Sequence, residues 1–212
     1  RVNDSGMNSA FWCMHRRSHL RSMVRIAILA SGSGTNAQRL IEHFARHPAA
    51  QVVLVCCDKP EAGVVRRAWD LGVPCYLFDG AALKNGAFLR ELQGQGVTLV
   101  VLAGFLRLVP AEVIAAFPES IVNIHPSLLP LHGGKGMYGE RVHAAVIAAG
   151  DKESGITIHL VNERYDEGEV LFQAKCPVKP GDDPASLGAR IHALEHEHYP
   201  VVVEKLIAGR VK

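Results

Sequence analysis

Two residues suited to acid–base chemistry stand close together in the stretch Ile121–Pro130, which reads I-V-N-I-H-P-S-L-L-P. Asn123 and His125 occupy alternate positions of an apolar run, so in a β-strand both side chains lie on one face. Pro126 then stops the run, and ligands of open α/β sheets gather at such carboxyl ends of strands. An amide donor beside an imidazole, which titrates near neutrality, is suited to proton transfer at a carbonyl group.

A second candidate site is the small-residue segment S-G-S-G-T-N at residues 31–36, between a predicted strand and a predicted helix. The first amides of a helix are unpaired and its dipole favours an anion there. Gly34 permits close approach of the backbone, and Thr35 and Asn36 add side-chain donors that can cap the helix. The segment matches neither G-x-x-x-x-G-K-[ST] nor G-x-G-x-x-G. We predict phosphate binding, with dinucleotide binding and a plain tight turn as alternatives.

A carboxylate that could serve His125 occurs in the charged stretch E-R-Y-D-E-G-E at residues 163–169. Asp166, placed beside a histidine, would orient the ring and raise its pKa by favouring the imidazolium. A solvated hairpin turn is the alternative interpretation. Spacing along the chain does not by itself bring Asp166 to His125.

The elements that must position these residues alternate between strands and helices. Apolar runs at 25–30, 51–57, 73–78, 97–103 and 120–124 predict five strands, separated mainly by helical segments. Such alternation predicts an α/β, Rossmann-like, doubly wound and mostly parallel sheet. Residues 154–162 and 169–177 then predict a C-terminal antiparallel hairpin, followed by a final helix from about 184 to 207.

The charge of the chain is unevenly distributed. The net charge is +2, but residues 1–22 carry four arginines against one aspartate, which leaves the rest near −1. This gives no electrostatic footprint for nucleic acid, and no apolar run approaches the roughly 18 residues that cross a membrane. Five cysteines without a C-x-x-C pair indicate reduced thiols and a cytoplasmic location. We expect residues 1–22 to be a disordered leader or upstream extension.

A dense group of histidines and glutamates at residues 192–198 raises the question of a metal. The spacing H-x-x-x-H without H-E-x-x-H is a weak zinc signal, so we predict a partly solvated helix face and no metal. His159 lies in a predicted strand and is either a satisfied core histidine or a partner of the catalytic groups.

Four segments in order resemble one enzyme family. They are G-S-G-T-N at 32–36, A-G-F-L-R-L at 103–108, N-I-H-P-S-L-L-P at 123–130 and G-I-T-I-H-L-V-N-E-R-Y-D-E-G at 155–168. Together they resemble the phosphoribosylglycinamide formyltransferase family of purine biosynthesis. The third block is also similar to methionyl-tRNA formyltransferase and formyltetrahydrofolate deformylase, so the whole set carries the resemblance. We therefore expect residues 23–212 to form a single formyltransferase domain.

The resemblance implies a reaction and roles for three residues. The family transfers the formyl group of 10-formyltetrahydrofolate to the amine of glycinamide ribonucleotide, with no metal and no covalent intermediate. By similarity, Asn123 donates a hydrogen bond to the oxyanion, and His125 is the general acid or proton shuttle. Asp166 holds His125 and raises its pKa. The partners are these small molecules, with no nucleic acid or membrane, and the chain is a monomer or homodimer.

The resemblance also implies binding residues for each substrate. Gly34, Thr35 and Asn36 contact the phosphate or ribose, and His192 and Glu195 face the same ribonucleotide. The implied folate-binding residues are Leu106, Arg107, Leu108, Val109, Asn123, Asn162, Glu163, Arg164, Tyr165 and Asp166. The Gly-rich segment 131–139 is longer than in many members, which leaves contacts there, including those of Lys135, undetermined. Lys84 and Asn85 are equal candidates for a folate carboxylate.

Two other functions remain open from the sequence. One is a folate-dependent formyltransferase that acts on the amine of a sugar nucleotide, and the other is a non-catalytic module that binds a nucleotide or folate. Catalysis predicts that Asn123, His125 and Asp166 converge within hydrogen-bond reach of one another or of one bridging water.

Overall fold

A seven-stranded sheet forms the centre of the computed structural model, which describes residues 23–209; the predicted leader at 1–22 lies outside the described residues. The strands are β1 (Val24–Ala30), β2 (Ala50–Cys57), β3 (Cys75–Leu77), β4 (Leu99–Leu102), β5 (Ile121–His125), β6 (Glu153–Leu160) and β7 (Val170–Pro177). The helices are α1 (Thr35–Phe44), α2 (Gly63–Asp70), α3 (Gly80–Lys84), α4 (Ala87–Gly94), α5 (Ala111–Ala116), α6 (Glu140–Ala149) and α7 (Pro184–Ile207).

The order of the strands confirms the predicted fold class. It is β3-β2-β1-β4-β5-β6-β7, with β1 to β5 parallel and the last two strands antiparallel. Because β1 has β2 on one side and β4 on the other, the chain reverses its winding direction at β1. Ligand sites of open α/β sheets lie outside the carboxyl ends of strands at such a switch point.

Strand β1 shows that helices cover both faces of the sheet. Its residues from Ile26 to Ala30 are fully buried, and alternate side chains point to opposite faces. Ile28 belongs to a core that contains Leu40 of α1 and Tyr199 of α7, whereas Leu29 belongs to a core that contains Phe88 of α4. A continuous apolar strand is typical of a parallel sheet between two helical layers.

One predicted helix differs from the structure. The apolar pattern at 83–93 predicts one helix, but the chain forms α3 and α4 with a break between them. Gly86 takes φ 73°, a left-handed conformation that ends a helix, and Asp79 caps α3 by accepting from the amides of Ala81 and Ala82 at 2.9 Å. No helix of the described residues is long and apolar enough to span a membrane.

Candidate active site

The carboxyl end of β5 presents Asn123 and His125 toward β6, as the alternating pattern predicts. In the antiparallel register Asn123 lies opposite His159, and His125 lies opposite Thr157. Opposed residues in antiparallel strands have neighbouring side chains, and here the Asn123 amide nitrogen is 3.1 Å from Nε2 of His159. His159 therefore belongs to the polar cluster around β5.

Hydrogen bonds set the roles of the atoms in this pair. The Nδ1 of His159 is 2.8 Å from the carbonyl oxygen of Leu160, which only accepts, so Nδ1 carries the hydrogen. In the neutral ring Nε2 is then the acceptor for the Asn123 amide. An amide nitrogen has two hydrogens, so Asn123 keeps one N–H for a ligand. His159 thus orients the group that was predicted to donate to an oxyanion.

Asp166 meets both histidines from the loop between β6 and β7. Its Oδ2 is 3.5 Å from Nδ1 of His125 and 2.8 Å from the amide of Gly134, and its Oδ1 is 3.7 Å from Nε2 of His159. The side chain is only 11% exposed, so the alternative of a solvated turn is wrong. Asp166 also takes φ 56°, and such non-glycine residues are concentrated at functional sites. Asn123, His125 and Asp166 therefore converge on one cluster.

The pKa values in the cluster reflect burial and charge together. Burial lowers the pKa of His125, and this outweighs the charge of Asp166 and the carbonyl of His132, which act in the opposite direction. The expected net increase in the His125 pKa is therefore not found, although Asp166 acts with the expected sign. Burial alone would raise the pKa of Asp166, but neighbouring His159, the charge of His125 and the Gly134 amide lower it.

The segment 131–139 supplies backbone groups that motif reading did not anticipate. The Nε2–H of His125 donates to the carbonyl of His132 at 2.9 Å, and Gly134 donates to Asp166. A Cβ on Gly133 would come within 2.6 Å of Leu129 and 3.3 Å of Asp166, so this close approach requires glycine. The richness in glycine was the only sequence signal, because contacts through the backbone leave no side-chain motif.

A wide cavity of about 350 Å³ opens in front of this cluster. Nine of the ten residues predicted to bind folate line it: Leu106, Arg107, Leu108, Val109, Asn123, Asn162, Arg164, Tyr165 and Asp166. Glu163 is not among the residues that line it, and neither are Lys84 and Asn85. Lys135, Tyr138 and Arg141 do line it, so the Gly-rich segment contributes to this wall.

Apolar and charged side chains share the wall of the wide cavity. Leu106 and Leu108 are 38% and 46% exposed, which is unusual for leucine and marks a surface suited to a flat ring. Arg107 is not free, because its Nε donates to Asp58 at 2.6 Å. Asp58 follows β2, and its side chain is 2% exposed. The Arg107 guanidinium is therefore held against the sheet.

A small cavity of about 150 Å³ lies beside the wide one, and the two share Gly104 and Ile124. It is lined by residues 32–36 together with Gly139, His143, His192 and Glu195. Gly34 takes φ 79°, and a Cβ there would come within 2.6 Å of Val64. The five residues predicted for the phosphorylated substrate are thus brought together, and all of them line this cavity.

Buried polar groups line the small cavity. The Oε2 of buried Glu195 accepts from the amide of Asn36 at 2.9 Å and from Nδ1 of His192 at 2.8 Å. The hydrogen bond with Glu195 raises the pKa of His192. Within residues 23–209, the Oδ1 of Asn36 and the Nδ1 of His143 are buried without a hydrogen-bond partner.

The amides at the start of α1 are left free by this arrangement. Thr35 and Asn36 were expected to be able to cap α1, but in the described residues the helix has no side-chain cap. Asn36 instead reaches Glu195 on α7. Uncapped N-terminal amides are available to an anion.

The histidines of α7 do not form a metal centre in the described part of the chain, where no group of three or more His, Cys, Asp or Glu residues could hold a metal ion. The rings of His192 and His196 stack with centroids 6.3 Å apart, and His198 packs on Phe172. That the chain uses no metal stays a prediction.

Comparison with known proteins identifies the family. Residues 24–203 match the family model described as "Formyl transferase". The chain belongs to the formyltransferase family. This formyltransferase is 38% identical over 202 residues to the chloroplastic phosphoribosylglycinamide formyltransferase of Arabidopsis thaliana, across 92% of this chain and 69% of that protein. It is 34% identical over 191 residues to the phosphoribosylglycinamide formyltransferase of Bacillus subtilis, across 87% and 95% of the two chains.

The fold gives the same result for this formyltransferase. The crystal structure of glycinamide ribonucleotide transformylase 1 from Symbiobacterium toebii superposes with a TM-score of 0.82 at 38% identity, and the match covers 89% of each chain. The predicted membership of the phosphoribosylglycinamide formyltransferase family is confirmed. The formyltransferase is thus an enzyme of formyl transfer in purine biosynthesis, and its family implies a folate-type formyl donor.

Proposed function

We propose that this formyltransferase moves the formyl group of 10-formyltetrahydrofolate to the amine of glycinamide ribonucleotide by direct attack. One observation carries the proposal. The wide and small cavities meet at Gly104 and Ile124, and Asn123 and His125 stand on the strand that contributes Ile124. Two substrates bound in these cavities would bring their reacting ends to the polar cluster.

The small cavity suits a phosphorylated sugar. The free amides at the start of α1 suit a phosphoryl group, and His192, whose pKa is raised, adds positive charge. The free oxygen of Asn36 and the carboxylate of Glu195 are acceptors, which suits the hydroxyls of a ribose. The small cavity thus combines donors for a phosphoryl group with acceptors for ribose hydroxyls, as a sugar phosphate requires.

The wide cavity suits the folate donor. Leu106 and Leu108 offer apolar contact for an aromatic ring, and the hairpin loop after β6 offers peptide groups for its polar edge. That loop is held by its own side chains, because Asn162 donates to the carbonyl of Glu167 at 3.1 Å and accepts from the amide of Arg164 at 2.9 Å. A rigid loop is suited to reading the edge of a flat ring.

The cluster can carry the proton and the charge of the reaction. The new bond joins the acceptor amine to the formyl carbon, and the bond from that carbon to the folate nitrogen breaks. Asn123 directs its free N–H toward the oxygen that becomes negative. His125 is neutral at rest, takes the proton of the amine at Nδ1 and returns it to the folate nitrogen, so its own state is unchanged. Asp166, 3.5 Å from Nδ1, stabilises the imidazolium in between.

The proposal is tested by a formyl-transfer assay with glycinamide ribonucleotide and 10-formyltetrahydrofolate that follows the release of tetrahydrofolate. We expect turnover that depends on both substrates. Turnover with an amino-sugar nucleotide and none with glycinamide ribonucleotide would favour the sugar-nucleotide enzyme. Binding of both ligands without turnover would favour the non-catalytic module. The cytoplasmic location and the monomeric or homodimeric state stay predictions.

A further inference from the structure

We propose that His143 contacts the phosphoryl group of the acceptor and, together with His192, supplies there the positive charge that lysine or arginine supplies in other phosphate sites. The inference rests on the proposed function, because it assumes a phosphorylated acceptor. His143 lies on α6 and was not a candidate from the sequence.

The charge balance of the small cavity requires a cationic side chain when a phosphate monoester binds. A phosphate monoester carries about −1.5 to −2 charges at neutral pH, and each helix N-terminus offers about +0.5. Two ten-residue helices, α1 and α6, begin at this cavity, since Gly34 and Gly139 both line it. In the described part of the chain no lysine or arginine lines it, and Glu195 adds a negative charge. His143 and His192 are thus the lining side chains that can become cationic.

One ring nitrogen of His143 is left without a hydrogen bond. The residue is 3% exposed and lines the small cavity, yet within residues 23–209 its Nδ1 has no hydrogen-bond partner. Leaving a buried polar atom unpaired costs about 1–3 kcal/mol, so such atoms are rare. A ligand that completes the hydrogen bonding of the ring accounts for this cost.

Packing against α7 holds the ring of His143 in place. Gly188 of α7 lies against it, and a Cβ at that position would come within 3.1 Å of Cδ2 and 3.3 Å of Nε2. The ring of His143 therefore occupies space that any other residue at 188 would take. This fixes its position between α6 and α7, beside His192 and Glu195.

The charged neighbours of His143 make phosphate binding dependent on protons. Burial lowers the pKa of His143, and the charges of His192 and His125 act in the same direction, whereas Glu195 and Glu140 oppose them. The ring is therefore neutral in the empty cavity at neutral pH. A bound phosphate favours the imidazolium, so binding takes up a proton.

The test uses ribose 5-phosphate as the probe and isothermal titration in two buffers of different ionisation enthalpy, which yields both affinity and proton uptake. We expect His143→Leu to weaken binding about tenfold, or about 1.4 kcal/mol, and to reduce proton uptake. His143→Asn restores a polar atom near Nδ1, so it should recover part of the affinity but not the proton uptake. A folded His143→Leu protein with binding within twofold of wild type and the same proton uptake would overturn the proposal.

Two further variants keep the test decisive. Ser154→Ala removes a buried hydroxyl that, like Nδ1 of His143, lacks a hydrogen-bond partner in the described residues. Ser154 lies outside both cavities, so this variant should bind ribose 5-phosphate as wild type does. Gly188→Ala keeps the imidazole but displaces it, and serves if His143→Leu does not fold. We expect it to weaken binding about threefold or more. A folded Gly188→Ala protein with unchanged affinity would contradict the proposal.

Failure here is distinguishable from failure of the proposed function. Ribose 5-phosphate has no amine, so its binding does not depend on turnover. If wild-type protein does not bind ribose 5-phosphate, the proposal that the acceptor is phosphorylated is wrong. If wild-type protein binds it and formylates glycinamide ribonucleotide, but the His143 variants behave like wild type, only this inference is wrong.

Discussion

The two cavities at the carboxyl edge of the sheet are lined by different kinds of chemical groups. The wide cavity is lined by long side chains on several loops, among them Arg107, Lys135 and Arg141, with Leu106 and Leu108 partly exposed. The small cavity is lined by the glycine segment after β1 and by buried polar side chains. The wide cavity offers its ligand mostly side chains from several loops, and the small cavity offers mostly backbone amides and titratable rings.

The difference follows from what each cavity is proposed to bind. A phosphoryl group is small and highly charged, so fixed amides at a helix N-terminus suit it. A folate is long, with a flat ring and a flexible tail, so side chains from several loops suit it. Exposed charges are screened by salt more than buried ones. Substitutions in each region can show whether the two cavities are independent and whether the cluster around His125 serves both.

The largest effect is expected at the cluster that both cavities share. His125→Ala should lower kcat about 10²–10⁴-fold, because it removes the proton shuttle, and leave both KM values within a few-fold. Steady-state kinetics measure this.

The matched control for His125 is His132→Asn. It keeps the carbonyl that accepts from His125 and removes only the ring that contacts Asp151, and asparagine tolerates the φ of 54° found there. We expect kcat within a few-fold of wild type. An equal loss in both variants would mean that the loop conformation, not the His125 ring, is what matters.

The next largest effect is expected for the oxyanion donor. Asn123→Ala should lower kcat about 10²–10³-fold, since a positioned donor in a site shielded from water is worth that much. Gln93→Ala, which removes an exposed side-chain amide on α4, should leave kcat unchanged. A variant that raises the KM of one substrate and keeps kcat would make Asn123 a ligand of that substrate, and the shared role would be wrong.

A smaller effect, with a clear pH signature, is expected for Asp166→Asn. The folded pKa of His125 is depressed, so the neutral ring that accepts the proton is lost as pH falls through that pKa. Asp166 opposes this depression, so its removal should shift the acid limb of kcat to lower pH and reduce kcat roughly tenfold. NMR titration of His125 measures the same shift directly. Identical titration in both proteins would remove Asp166 from its proposed role.

The sequence predicted the parts of this site that depend on local pattern. Alternation predicted that Asn123 and His125 share one face, and the small residues after β1 predicted the loop that lines the small cavity. Residue spacing alone could not predict that Asp166 reaches His125, which only the family resemblance implied, since this depends on the register of β5 and β6 and on a positive φ at Asp166. Burial of His125 and the unpaired ring of His143 are properties of packing across elements, so no motif signals them.

The smallest effect is expected at Asp58, which decides how separate the two cavities are. Its buried carboxylate accepts from Arg107, and burial alone would raise its pKa, but neighbouring Ser31 and Arg107 lower it. Ser31 directly precedes residues 32–36, which line the small cavity, and its hydroxyl accepts from the amide of Leu106 at 3.2 Å. Asp58→Asn keeps the shape of the side chain but removes the charge that pairs with Arg107, so a weaker hydrogen bond with a neutral acceptor replaces the ion pair.

If the cavities are independent, Asp58→Asn should raise the KM of the folate donor about two- to tenfold and leave kcat and the KM of the acceptor unchanged. Arg66→Ala, which removes an exposed arginine that pairs with Asp70 on α2, is the matched control and should alter neither KM. An equal rise in both KM values would mean that Ser31 transmits the change to residues 32–36 of the small cavity. Asp58, Ser31 and Arg107 would then support both cavities. Substrate binding in the two cavities would be energetically coupled, although their lining residues differ.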